Sequence, residues 1–159
     1  MLTENGKAED TRIPKEGVEG SLKDTGFCIT GIRGISMIPM LNEKTDHVII
    51  GRTEEGLKTG DVALYRRGSD LVLHRVIGVL PEGYLIRGDN CIGTENVRRE
   101  AVLGKLCGIQ RNGDCIEVTD EMNDAFFKRS CRTLPARKWK ARILGILRRI
   151  RKHAGLAQR

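Results

Sequence analysis

Apolar positions follow two different rhythms along this 159-residue chain. From Phe27 to Val118 they come in short runs that alternate with polar residues, and beyond Pro135 they recur every three or four residues. The first rhythm predicts strands. His47-Val48-Ile49-Ile50-Gly51 is a short apolar run between polar clusters, and Asp61 to Arg66 is a second, entered from the turn Lys58-Thr59-Gly60. Arg67-Gly68-Ser69-Asp70 turns the chain into a long strand over 71–79, and Pro81-Glu82-Gly83 turns it again into Tyr84-Leu85-Ile86-Arg87. Leu103 to Gln110 and Cys115 to Val118 flank Asn112-Gly113, a dipeptide suited to the left-handed conformations of a tight hairpin. Short strands with close turns predict a mainly β, antiparallel domain over 26–119.

The second rhythm predicts an amphipathic helix at the C-terminus. Trp139, Ile143, Ile146, Leu147, Ile150 and Ala154 share one face, with Arg and Lys on the others. Pro135 is placed to start it, and 120–159 reads as a basic helical tail. Residues 1–25 are polar and aperiodic, and read as a disordered lead-in.

Composition sharpens this division. Three Phe, two Tyr and one Trp leave the core to aliphatic side chains. The net charge of +7 hides a segregation: residues 128–159 hold twelve Lys/Arg and no Asp/Glu. The rest of the chain holds sixteen basic and twenty-one acidic residues, a net of −5. The tail is therefore the part expected to seek anionic partners. Five cysteines without C-x-x-C spacing predict neither a disulfide framework nor a zinc site, and a reducing cytoplasm is the expected setting. No apolar run precedes Phe27 and no run reaches 18 residues, so neither a secretory signal nor a spanning helix is expected.

Three segments carry candidate chemistry. Ser36 lies between the glycine-bearing Gly34-Ile35 and Pro39, His74 follows 38 positions later in the 71–79 strand, and Asp89 sits in Arg87-Gly88-Asp89-Asn90. A serine hydroxyl needs a base within hydrogen-bond reach, and imidazole serves near neutral pH. The second ring nitrogen then needs an acceptor that fixes the tautomer. Taken singly, each residue has a plainer reading: a helix cap or turn for Ser36, a hydrogen-bonded core histidine for His74, and a turn aspartate for Asp89. Their joint order favours a nucleophile, a base and an orienter. Alternation along 71–79 puts Val72, His74 and Val76 on one face, and Leu73, Arg75 and Ile77 on the other.

These segments resemble the signal peptidase I superfamily, which includes the self-cleaving SOS repressors. Ser36-Met37-Ile38-Pro39-Met40-Leu41 is similar to its S-M-x-P-x-L nucleophile box, and Lys58-Thr59-Gly60-Asp61-Val62 to the G-D-V strand that follows. His74-Arg75-Val76-Ile77-Gly78 resembles the base box of the endoplasmic-reticulum type, where histidine replaces lysine. Gly88-Asp89-Asn90 resembles the G-D-N box, and Val102-Leu103-Gly104-Lys105-Leu106 the closing strand. The likeness spans about 31–109.

The resemblance implies a coiled antiparallel peptidase sheet, with Ser36 as nucleophile, His74 as general base and Asp89 as the acid. Glu95 is the alternative acid, since the histidine branch often carries a second carboxylate a few positions after G-D-N. It implies no metal or cofactor, and a peptide or protein substrate. Two departures stand out. Gly34 occupies the position of a serine that helps the oxyanion in relatives, and the family's N-terminal membrane anchor is not seen. The expectation is a cytoplasmic serine endopeptidase for leader removal or limited proteolysis, with residues 136–159 lying on an anionic inner membrane face or packing on the β domain. Nucleic acid is a weaker expectation, since stacking aromatics are scarce. The alternative is a weakly active or inactive peptidase-like module, tethered to membrane or partner by the basic tail.

Overall fold

Near-continuous burial along the central strands gives this fold two apolar clusters, one on each side of a single curled sheet. The computed structural model describes residues 9–14 and 17–156, with backbone alone for 150–156. In chain order the elements are β1 (Arg12–Ile13), α1 (Val18–Thr25), β2 (Phe27–Gly31), β3 (Asp46–Gly51), β4 (Val62–Arg67) and β5 (Asp70–Leu80). β6 (Gly83–Arg87), β7 (Glu95–Arg98), β8 (Val102–Arg111), β9 (Asp114–Glu117) and α2 (Asp120–Leu156) follow. The strands form one antiparallel sheet in the order β2-β3-β8-β4-β5-β6-β7, with β1 added to β5 and β9 to β8. The protein is mainly β, curled into a half-barrel with one long C-terminal helix.

β5 is the central element. Its first six residues after Asp70 are buried, because both of its faces are covered. Leu71 and Leu73 join a large cluster with Met37, Met40, Leu64 and Leu106, whereas Val72 and Val76 join Ala63, Tyr65, Tyr84 and Ile86. The pairing Ala63↔His74 puts the smallest side chain of β4 opposite the imidazole. The hairpin at Asn112-Gly113 forms as its sequence predicts, with both residues at positive φ (53° and 93°).

Two sequence expectations are corrected. Residues 12–13 and 18–25 are not a disordered lead-in: Ile13, Val18 and Leu22 are buried in the larger core cluster. Residues 1–8 and 15–16, the rest of that expected segment, lie outside the described residues. The helix does not start after Pro135 but at Asp120, and Pro135 lies inside it. Thr119 accepts the Met122 N–H through its hydroxyl and the Asn123 N–H through its carbonyl, and Asp120 and Glu121 place negative charge at the positive helix end.

At 37 residues the helix is about 55 Å long. Its first half belongs to the domain, since Met122 and Phe126 pack on the larger cluster and Asn123 and Ser130 are buried. Its second half does not pack there: Trp139 is 69% exposed and Ile146 57%. The apolar stripe predicted for the tail therefore faces outward as far as residue 149; Ile150 and Ala154 are described by backbone alone. No helix among the described residues is long and apolar enough to cross a membrane.

Candidate active site

Ser36 is held by a turn whose apolar residues act as pegs. Met37, Met40 and Leu41 are buried, so the loop between β2 and β3 is pinned to the core on the far side of the hydroxyl. From the other side, Asn90 donates its N–H to the Ser36 carbonyl at 2.7 Å. This tie brings the Gly88-Asp89-Asn90 turn against Ser36. Gly88 is required there: a Cβ would stand 2.9 Å from the Ser36 carbonyl oxygen and 3.0 Å from His74 Nε2. Any larger residue would push serine and imidazole apart.

His74 extends from β5 to place Nε2 3.0 Å from Ser36 Oγ. Two segments separated by 38 positions thus meet as a hydroxyl and a ring nitrogen in hydrogen-bond contact. On the far side of the ring, Nδ1 lies 3.3 Å from Glu95 Oε1 and 3.1 Å from the Tyr65 hydroxyl, which itself donates to Glu95. Arg67 Nη1 is 3.5 Å from the same Glu95 oxygen.

Asp89 is not the neighbour of His74. Its two oxygens accept from Arg75 Nε and Nη2 at 2.7 and 2.6 Å, a buried bidentate pair. Arg75 also donates to the Gly60 carbonyl at 2.7 Å and to Asn123 Oδ1 at 3.2 Å. The reason lies in strand alternation. His74 and Arg75 point to opposite faces of β5, and the 88–90 turn delivers its carboxylate to the arginine side. Glu95 begins β7 and is carried back over the other face by the Ile86↔Glu95 pairing. Asp89, expected beside His74, is therefore engaged elsewhere, and the carboxylate that lies against His74 Nδ1 is that of Glu95.

Several residues around the imidazole escaped the sequence reading. Tyr65 and Arg67 alternate with Ala63 along β4, on the face that His74 shares, and that period was the available signal. Asp10 and Thr11 had none, since they lie in a polar segment with little pattern. Thr11 donates its N–H to Ser36 Oγ at 2.7 Å, and its hydroxyl oxygen accepts from Ser36 Oγ at 3.0 Å and from the Met37 N–H at 3.2 Å. Asp10 Oδ1 is 3.4 Å from His74 Nε2, and Asp10 also pairs with Arg67. Beneath this segment Gly34 has φ +100°, and a Cβ there would strike the Asp10 carbonyl oxygen. Position 34 thus has no room for a side chain while the 9–10 backbone lies against it.

Charge balance around the ring follows from these contacts. Burial opposes protonation of His74, but the hydrogen bonds and charges of Asp10 and Glu95 outweigh it, and its pKa is raised above 6.5. Asp10 is held well below the usual carboxylate range, first by its hydrogen bond to His74 and then by Arg67, against the effect of burial. Burial pushes Glu95 upward, but His74, Tyr65 and Arg67 together bring it below its ordinary value. Burial, then Glu95, drives the Tyr65 phenol far above its ordinary value, so it remains a donor. Ligand atoms of Asp10, His74 and Cys91 lie within 4.8 Å of one another, enough in spacing to hold a metal. Burial, however, pushes the Cys91 thiol up to about 11, and Nε2 is already shared with Ser36.

The assembly has the parts of a serine acyl-transfer centre: an oxygen nucleophile, a base in contact with it, and a carboxylate with a phenol to fix the base. It is also closed, with Ser36 at 0% and His74 at 3% exposure. No protein-family model matches the chain, and neither a curated protein nor a solved structure matches it.

Proposed function

We propose that this chain is a serine endopeptidase of the signal-peptidase type, in which Ser36 is the nucleophile, His74 the general base and Glu95 its orienter. The observation that carries the reading is the 3.0 Å contact between Ser36 Oγ and His74 Nε2, backed by Glu95 and Tyr65 on Nδ1. With Nδ1–H directed to Glu95, Nε2 accepts the serine proton as Oγ attacks a peptide carbonyl. His74 then returns that proton to the departing amine, leaving an acyl ester on Ser36. Water, deprotonated by the same nitrogen, attacks the ester and releases the acid. The Met37 N–H, next to the nucleophile, is the donor best placed to receive the developing oxyanion once Thr11 leaves it. The substrate would be a peptide or protein strand.

Labelling with a serine-directed fluorophosphonate tests this reading. Stoichiometric labelling that disappears in Ser36→Ala and in His74→Ala supports it. Folded protein that never labels, even with the site opened, leaves the second reading, a peptidase-like module with little or no cleavage. The complete burial of Ser36 is the observation in favour of that alternative.

The outer half of α2 suits peripheral contact with an anionic membrane. Trp139, Leu144, Ile146 and Leu147 are exposed beside Lys138, Lys140, Arg142 and Arg148. Salt-sensitive binding to vesicles containing phosphatidylserine, absent with neutral vesicles, is the expected result; equal binding to both would overturn it.

A further inference from the structure

We infer that residues 9–13 form an autoinhibitory strap: they occupy the peptide cleft in a non-productive pose and must be displaced before a substrate can bind. This rests on the peptidase reading and adds its regulation.

The cleft is defined by two strand edges. β6 pairs with β5 only from Arg75 onward, so the edge of β5 at residues 71–73 is left for another strand. Opposite it runs the stretch 33–35, leading to the nucleophile. The strap satisfies both edges. The Leu73 N–H donates to the Thr11 carbonyl at 2.9 Å, and β1 pairs Arg12↔Val72 and Ile13↔Leu71. On the other side Arg12 and Arg33 exchange N–H···O bonds at 2.7 and 2.9 Å, and the Ile35 N–H donates to the Glu9 carbonyl at 2.9 Å. An extended peptide bound by main-chain pairing would need these same groups.

The pose is that of a blocker. An attackable bond would present its carbonyl carbon to Ser36 Oγ, but here the Thr11 N–H points at that oxygen and occupies its lone pair. Thr11 Oγ1 takes the Met37 N–H, the donor an oxyanion would use. Asp10 sits against His74 Nε2 and favours the imidazolium, which cannot accept the serine proton. Nucleophile, oxyanion donor and base are each engaged by one of two neighbouring residues. Arg67, paired with Asp10, marks where an incoming peptide would gain from an acidic side chain.

The test uses the full chain and the rate of fluorophosphonate labelling. Thr11→Pro removes the N–H that holds Ser36 and the hydroxyl that holds Met37, and is expected to label at least about tenfold faster than wild type, in proportion to the open fraction. Asp10→Cys places a thiol near that of Cys91. Oxidised, it is expected to lock the strap and abolish labelling; reduced, to label faster than wild type. Wild type labelling as fast as Thr11→Pro, or oxidised Asp10→Cys labelling as fast as reduced, overturns the strap and leaves the peptidase standing. Mass spectrometry that finds residues 1–10 lost from wild type but not from Ser36→Ala also overturns it, because the segment would then be a substrate. Amide exchange at Leu73, whose N–H is held by the Thr11 carbonyl, separates the two readings: protection that is lost in Thr11→Pro with no labelling of any variant overturns the peptidase reading and the inhibitory role with it, whereas protection kept in Thr11→Pro overturns displacement of the strap alone.

Discussion

His74 and Arg75 are neighbours on one strand, each paired with a carboxylate, yet the two pairs are built for opposite purposes. Arg75 and Asp89 are buried, bidentate and braced by Gly60 and Asn123. The Glu95 carboxylate is about 29% exposed and is shared among His74, Tyr65 and Arg67, with longer contacts to the two cations. A fully matched pair in a dry site is rigid, and removing one member leaves an uncompensated charge. A partly solvated carboxylate with several partners can respond while a proton moves past it. The comparison teaches that adjacent residues on a strand, facing opposite sides, can separate architecture from chemistry.

The largest expected effect breaks the responsive pair. Glu95→Gln should keep the fold but lower fluorophosphonate labelling of a strap-released background by up to about 10⁴, the scale seen when a triad loses its orienting carboxylate. Parallel urea unfolding should show a stability change within about 1 kcal/mol of the background. Unaltered labelling would remove Glu95 from the site.

The rigid pair should respond the other way. Asp89→Asn strands the buried Arg75 guanidinium and is expected to cost about 3–5 kcal/mol in urea unfolding. It should also loosen α2, because Arg75 donates to Asn123 and Arg137 donates to the Asp89 carbonyl. A variant with wild-type stability but no labelling would return the orienting role to Asp89.

A smaller effect comes through proton balance. The folded pKa of His74 is raised above 6.5, so its interactions with Asp10 and Glu95 stabilise the fold fully below about pH 6.5 and fade as pH rises through that raised value. Labelling needs the neutral ring, and should therefore rise with pH about a midpoint above 6.5. Asp10→Asn removes one of the two charges that raise it and should bring the midpoint down. An identical midpoint in the two proteins would mean that Asp10 does not act on the imidazole.

These pairs also show what a sequence displays and what it conceals. The strands near 47–51, 71–79 and 103–110 were legible because short apolar runs rich in Val and Ile are set off by polar clusters and turn residues. Ser36 and His74 were legible because each sits in a distinctive local segment. Choosing between Asp89 and Glu95 needs the β6–β7 pairing, a long-range fact that neither local segment contains. The strap was invisible for a related reason: Ile13 is its only buried apolar anchor, and the other contacts are backbone pairings and polar side chains. Pro135 misplaced the helix start, although Met122 and Phe126, four apart, already carried the period on which its first half packs.

The smallest effect on both pairs is expected from the outer half of α2. Arg137 reaches back to the Asp89 and Ser130 carbonyls, whereas Trp139, Leu144, Ile146 and Leu147 are exposed. Removing residues 139–159 should therefore leave urea stability within about 0.5 kcal/mol and labelling unchanged, since substitutions away from packed features rarely do more. The same truncation should abolish binding to phosphatidylserine vesicles, because it deletes the exposed aromatic and aliphatic face together with most of the basic residues beyond Lys128. A truncated protein that lost several kcal/mol would instead place the outer helix in the scaffold, and the division between the rigid side of β5 and an outward-facing tail would have to be redrawn.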